Sequence, residues 1–201
     1  MIITEKKQKE ALLQSLKGFD KLFLTACGGC AAKSLTADEK SVKEIMDFLV
    51  SNGKTILESA VIESVCDMRL VKKTLSRNEN MQKADVVVAL SCGAGVQSIE
   101  SVLKEKNIIP ALDSKYIGST KRIGIYKKFC SVCGSCILDQ TQGICPRTRC
   151  AKSLVNGPCG GFVNGKCEID QNTDCAWVLI YEKLKNNGKC QDFLNQYVVP
   201  L

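Results

Sequence analysis

The sequence predicts an α/β fold: a Rossmann-like parallel sheet with helices on both faces, followed by an irregular cysteine-rich metal-binding lobe. Apolar segments of strand length alternate with segments of helical periodicity over the first 112 residues, which is typical of a parallel sheet. Beyond residue 128 the periodicity is lost, and nine of the thirteen cysteines lie between Cys130 and Cys190. We therefore predict an α/β domain at residues 1–126 and a cysteine-rich lobe, closed by a C-terminal helix, at residues 127–201.

The strands and helices of the first domain follow from the spacing of apolar residues. Short apolar or β-rich runs predict strands at residues 21–25, 55–65, 85–90 and 107–112. Helical spacing predicts helices at residues 5–17, from a capping box at Thr36 to Asn52, at 67–82 and at 96–106.

The region after residue 112 gives weaker signals. Residues 113–120 have the composition of a loop, and residues 121–126 suggest one more strand. The segment 113–122 is either a partner interface or a plain connector, since the two look alike in one sequence. Residues 129–173 cannot bury much apolar surface, so metal ligation is the expected ordering force. An amphipathic helix is predicted at 175–184.

The cysteines define the expected chemistry, because the chain contains thirteen of them and no histidine. Thiolates select zinc, copper(I) or iron–sulfur clusters. The charged N-terminus does not resemble a signal peptide, and no apolar run approaches the ~20 residues of a membrane span. We therefore expect a cytoplasmic protein with reduced thiols. Disulfides are the alternative, and the odd number of cysteines fits them poorly.

The formal net charge of +7 has two interpretations. It could mark a nucleic-acid surface. It could instead compensate anionic metal-bound thiolates, since residues 113–201 carry 12 basic against 7 acidic side chains. Dispersed basic residues and an aromatic content of only 5% favour compensation.

The first predicted site combines Cys27, Cys30, Cys66 and Cys92, each of which follows a predicted strand. The carboxyl ends of parallel strands meet at one edge of the sheet, where α/β proteins bind ligands. Four thiolates converging there could hold an iron–sulfur cluster. A thioredoxin-like redox pair at Cys27 and Cys30 is the alternative, with Cys66 and Cys92 as ordinary buried thiols.

The second predicted site begins with Cys130, Cys133 and Cys136, spaced as in a bacterial ferredoxin. Four-cysteine zinc is the alternative, and the sequence does not show which thiolates share a metal. Eight cysteines could form two centres, leaving Cys190 spare. In total, twelve cysteines are predicted to bind cofactors, and all but Cys130 are predicted as metal ligands: Cys27, Cys30, Cys66, Cys92, Cys130, Cys133, Cys136, Cys145, Cys150, Cys159, Cys167 and Cys175. No catalytic residue is predicted.

The cysteine motifs resemble the MetV family, the accessory subunit or C-terminal domain of methylenetetrahydrofolate reductases. They are FCSVCGSC at 129–136, GICP at 143–146, RCAK at 149–152, NGPCGG at 156–161, GKCE at 165–168 and CAW at 175–177. The strand-end cysteines of the first half are also similar to this family, so the resemblance covers most of the chain.

The resemblance implies a non-catalytic subunit that relays electrons through two or three [4Fe-4S] clusters in the Wood–Ljungdahl pathway. Its partner would be the MetF-type reductase subunit, which alone carries FMN, with further electron-donor subunits conceivable. Zinc is the alternative at one of the centres. The competing function is a structural zinc- or cluster-binding assembly partner without a redox role.

Overall fold

A computed structural model describes residues 1–196, with the side chains of residues 195 and 196 left out. The chain divides into two compact units, Met1–Lys127 and Lys128–Leu201. No helix within the described residues is both long and apolar enough to cross a membrane.

The first unit alternates strands and helices along the chain. In order, its elements are β1 (Ile2–Lys6), α1 (Lys9–Ser15), β2 (Lys21–Cys27), α2 (Cys30–Lys33), α3 (Glu39–Ser51), β3 (Thr55–Ile62), α4 (Met68–Leu75), α5 (Glu79–Lys83), β4 (Val86–Leu90), α6 (Gly93–Leu103), β5 (Asn107–Pro110), β6 (Leu112–Arg122) and the start of β7 (Ile125–Cys130), whose last three residues belong to the second unit.

Four strands form the predicted parallel sheet, in the order β3-β2-β4-β5. Strand β4 lies inside the sheet and is buried along its whole length, as its unbroken apolar run predicts. With the right-handed crossovers that parallel sheets use, this order places α3 on one face and α4 and α6 on the other. Helices α4 and α6 do contact each other, so the predicted α/β fold is confirmed at this level.

A second, antiparallel sheet in the order β1-β6-β7 corrects two predictions. Residues 113–120 are not a loop, because β6 runs through them and pairs with β1. The predicted strand at 121–126 is interrupted by a turn in which Gly124 has a φ of 79°. Most β6 side chains are exposed, so the strand lacks the apolar alternation that would have predicted it. Its stability comes from backbone pairing on both edges.

Smaller corrections concern helix boundaries. The predicted helix at residues 5–17 is preceded by β1 and spans only α1, and the predicted helix at 67–82 is two helices, α4 and α5. Asp38, not Thr36, is the N-cap of α3. The Thr36 hydroxyl is instead buried against Thr4 and Ala31 O, so a tertiary contact replaces the predicted capping box.

The second unit has little regular structure among its described residues. Its helices are α7 (Pro146–Arg149), α8 (Ala176–Asn186) and α9 (Cys190–Gln196). Helix α8 confirms the predicted C-terminal helix. It supplies most of a small core in which Trp177, Ile180 and Leu184 are buried.

Candidate metal centres

The four strand-end cysteines lie where the sequence predicts them. Cys27 is the last residue of β2, Cys30 begins α2, and Cys92 is the N-cap of α6 after β4. Cys66 lies in the turn between β3 and α4. Strands β3, β2 and β4 are parallel neighbours in the sheet. All four cysteines therefore lie at the carboxyl-terminal edge of these three strands.

The segments that carry these cysteines contact one another. The Gly28 amide donates to Ile62 O over 2.8 Å. A Cβ atom on Gly29 would lie 3.1 Å from Glu63 O, so glycine allows this close approach. On the other side, the Ser98 hydroxyl of α6 donates to Cys66 O over 3.4 Å. The strand-end loops therefore form one continuous surface.

The sulfurs at this edge differ in exposure. Cys27 and Cys92 are buried, Cys30 is half-buried and Cys66 is exposed. The Cys66 thiol shares a 3.3 Å hydrogen bond with the Ser64 hydroxyl. Next to it, hydrogen bonds from Arg69 lower the pKa of the Asp67 carboxyl to about 2. The Asp67 carboxylate therefore binds the Arg69 side chain and caps the start of α4.

Close packing beside Cys66 makes Gly95 a sensitive position. A Cβ atom there would lie 2.8 Å from Ser91 Oγ and 3.0 Å from Val65 Cγ1. We expect Gly95→Ala to lower the free energy of unfolding by about 1–3 kcal/mol through overpacking. The matched control is Gly93→Ala in the same helix, whose Cβ would meet only Ser114 Oγ at 3.8 Å. Urea denaturation of both variants tests this, and equal stabilities would contradict it.

In the second unit, four cysteines line one cavity of about 20 Å³: Cys150, Cys159, Cys167 and Cys175. Cys150 ends α7 and Cys175 is the N-cap of α8. The Cys167 amide donates to Thr173 O over 2.9 Å, and the Cys175 amide donates to Gly165 O over 2.8 Å. These backbone bonds fold the 165–175 segment so that Cys167 and Cys175 share the cavity.

The donor set of this cavity suits a thiophilic metal. Four thiolates bind either zinc or an iron–sulfur cluster. A volume of about 20 Å³ is the space of roughly one water molecule, so the side chains as placed leave room for a single ion. Within the described residues, no group of three or more Cys, Asp or Glu is close enough to hold a metal. The four sulfurs thus share a cavity without forming a coordination sphere.

Two charged residues that the sequence analysis did not single out also line this cavity, Lys152 and Glu168. Lys152 pairs with Glu168, and the Cys159 thiol donates to Glu168 Oε2 over 3.3 Å. The hydrogen bond between the two charged groups raises the pKa of Lys152 and lowers that of Glu168. In the sequence, Lys152 lies two residues after Cys150 and Glu168 directly follows Cys167, and this proximity is the only sequence feature that could have pointed to them.

The ferredoxin-like cysteines form a separate group outside this cavity. Cys130, Cys133 and Cys136 are exposed, and the Val132 amide donates to Cys130 Sγ over 3.4 Å. The backbone curls around that sulfur, with φ of 54° at Val132 and 79° at Gly134. Such amide-to-sulfur bonds tune metal–thiolate centres.

Cys145 lies near this group, because it is the N-cap of α7 and Thr148 of that helix donates to Phe129 O over 3.2 Å. Helix α7 therefore has Cys145 at one end and Cys150 at the other. The four-residue helix is roughly 6 Å long. The short helix therefore keeps Cys145 close to Cys150. Arg147 Nε, between them, is buried and has no acceptor among the described residues.

A larger apolar groove of about 710 Å³ lies beside the four-cysteine cavity, along α8 and α9. Pro158, Phe162 and Trp177 line both spaces. Cys190, predicted to be spare, lines the groove and not the cavity. One layer of side chains therefore separates the cavity from an apolar surface.

The chain thus combines an α/β unit that has cysteines at one sheet edge with a second, cysteine-rich unit. Residues 109–200 match the family model described as the C-terminal domain of methylene-tetrahydrofolate reductase. The match contains every cysteine from Cys130 to Cys190 and supports a relationship to that reductase family. No curated protein and no solved structure matches the chain.

Proposed function

We propose that this chain is an iron–sulfur electron-transfer accessory subunit of a methylenetetrahydrofolate reductase. It would relay electrons to or from the flavin of a MetF-type catalytic subunit, in the setting of the Wood–Ljungdahl pathway. The family match supports the link to the reductase. The arrangement of the cysteines supports the redox role.

The observation that carries this proposal is the sharing of one cavity by Cys150, Cys159, Cys167 and Cys175. These residues are spread over 26 positions of sequence, at separations of nine, eight and eight residues that are too wide for the short spacings of zinc or ferredoxin motifs. The fold nevertheless brings them together beneath an apolar surface. The ferredoxin-like group lies at the other end of α7. Neighbouring centres near a surface are what an electron relay requires.

Three sets of residues would hold metal centres in this proposal. They are the strand-end set of Cys27, Cys30, Cys66 and Cys92, the α7 set of Cys130, Cys133, Cys136 and Cys145, and the cavity set. A [4Fe-4S] cluster, when bound, supplies one-electron redox chemistry. The protein supplies the thiolates and, at Cys130, an amide donor to the sulfur.

A structural role for zinc is the second candidate, and the size of the cavity favours it. A space of about 20 Å³ is the size of a single ion, and the four sulfurs would have to move together to ligate it. A closed four-thiolate zinc site would order the second unit and carry no electrons. The chain would then have a structural role in the reductase complex and would not supply it with electrons.

Anaerobic purification of the whole chain, followed by iron, sulfide and zinc analysis, separates the two candidates. We expect at least two [4Fe-4S] clusters per chain and paramagnetic resonance signals after reduction with dithionite. One zinc beside two clusters would place a structural ion among redox centres and remain consistent with the relay. A colourless protein with stoichiometric zinc and no iron would overturn the electron-transfer proposal in favour of the structural one.

A further inference from the structure

We propose that the outer part of the β6–β7 hairpin, residues 119–127, is a docking surface for an acidic, extended segment of the catalytic reductase subunit. The partner comes from the proposed function, on which this inference therefore rests. The surface itself is defined by the charge and the free strand edge of the hairpin and involves no metal centre.

The outer part of the hairpin extends past the strand that pairs with its base. Strand β1 pairs with β6 only as far as Ile117, and Met1 exchanges two backbone hydrogen bonds with Gly118. Strand β7 is the last in the order β1-β6-β7, so one side of its backbone has no strand neighbour among the described residues. An edge strand of this kind presents unpaired N–H and C=O groups to a partner.

The hairpin is anchored to the rest of the first unit. The Tyr126 hydroxyl donates to Lys33 O of α2 over 2.9 Å. A Cβ atom on Gly118 would lie 2.9 Å from both Ile3 Cγ1 and Lys127 O, so the three strands pack closely at this point. A partner bound to the hairpin would therefore meet a fixed surface beside α2.

The charge of the hairpin has one sign. Residues 114–127 contain four basic side chains and no acidic one. Lys115 pairs with Glu5 over 2.9 Å. The other three cations are exposed and have no ion-pair partner in the part of the chain that the structure describes: Lys121, Arg122 and Lys127. Ile123, at the turn, is 83% exposed, so the tip presents an apolar side chain next to these cations.

These features together select an acidic extended segment as the partner. A free strand edge binds an extended chain through backbone hydrogen bonds, and acidic side chains on that chain would neutralise the cations. A second copy would bring the same cations together across a two-fold axis, which like-charge repulsion opposes. Nucleic acid is disfavoured because Tyr116 and Tyr126 are half-buried and offer no stacking surface.

The experiment measures binding of the whole chain to the purified flavin-bearing subunit by biolayer interferometry at several NaCl concentrations. The double variant Lys121→Glu/Arg122→Glu is expected to weaken binding at least about tenfold, mainly through slower association. The wild-type affinity should fall as salt rises, and the affinity of the variant should change less. Hydrogen exchange of the wild-type complex should show new protection of the β7 amides, which strand addition requires.

The matched control is Lys40→Glu/Lys43→Glu, which makes the same change in net charge on the same unit. Both lysines are exposed and lie in the first half of α3, where acidic side chains favour the helix. This variant should bind as the wild type does. Thermal unfolding followed by circular dichroism should be the same for both double variants, since each changes only exposed side chains.

The outcomes separate this inference from the proposed function. Weaker binding in the hairpin variant alone, with protection of β7 in the wild-type complex, supports it. If the complex forms and the two double variants bind equally well, or if β7 gains no protection, the inference is overturned while the partnership stands. Vesicles of anionic phospholipid that bind the wild type but not the hairpin variant, with subunit binding unchanged, would assign the surface to a membrane and overturn it. If the wild-type chain does not bind the reductase subunit, the proposed partnership is overturned as well.

Discussion

Replacing Cys175 with serine should release one metal centre and unfold most of the second unit. Cys175 is 9% exposed, lines the four-cysteine cavity and caps α8, which carries the buried Trp177, Ile180 and Leu184. This small cluster is the main apolar core of the second unit among its described residues. In small metal-dependent domains, binding contributes about 10–16 kcal/mol to folding, far more than so small a core provides. Serine is a favoured N-cap, so a lost cap does not account for the effect.

Trp177 is the only tryptophan of the chain and reports directly on this unit. Its indole N–H donates to Leu154 O over 2.9 Å, and its ring packs against Phe193. Unfolding should shift its fluorescence to longer wavelength, in parallel with the loss of metal from the purified variant. Cys190→Ser is the control, because Cys190 lies in the same unit but lines the groove and not the cavity. Equal metal content and equal fluorescence in the two variants would contradict the assignment.

The two inner strands of the parallel sheet were predictable because they bury nearly all of their side chains. Strand β4 is an unbroken apolar run and β2 is apolar except for Lys21 and Thr25, and these runs set the strand positions and the expected cysteine edge. Strands β1, β6 and β7 were not predictable in the same way. The side chains of β6 and β7 are largely exposed, and β1 pairs with β6 through residues more than 100 positions apart in the sequence. Local periodicity carries no information on such partners.

The cysteines show the same division between local and long-range information. Their number, and the absence of histidine, predicted the kind of ligand. Cys150, Cys159, Cys167 and Cys175 come together only because the irregular chain between them folds back on itself. Their spacing in the sequence does not predict this grouping. Lys152 and Glu168 were missed because a charged residue beside a cysteine is usually a solvated surface residue. Only the contact of Glu168 with Cys159, and the ion pair of Glu168 with Lys152, distinguish the two residues.

Cys92→Ser should abolish the strand-end centre and leave the second unit folded and loaded. The buried Cys92 caps α6, and serine is a preferred N-cap, so the helix keeps its start while the soft ligand is lost. Cys27→Ser, at the end of the neighbouring strand β2, should have the same effect on metal content. The α7 and cavity centres draw on other cysteines, so Trp177 fluorescence should match that of the wild type.

Ser91→Ala is the matched control for Cys92→Ser. Ser91 is a buried residue next to Cys92, but its hydroxyl is not a thiolate ligand, so removing it should leave the metal content unchanged. Iron per chain and the resonance spectrum of the reduced protein measure the result. We expect the two cysteine variants to lose the same spectral component and the control to retain it. If iron content and spectrum were unchanged in both cysteine variants, the sheet edge would hold no cluster. Cys27 and Cys30 would then be better explained as a dithiol redox pair, whose midpoint potential could be measured directly.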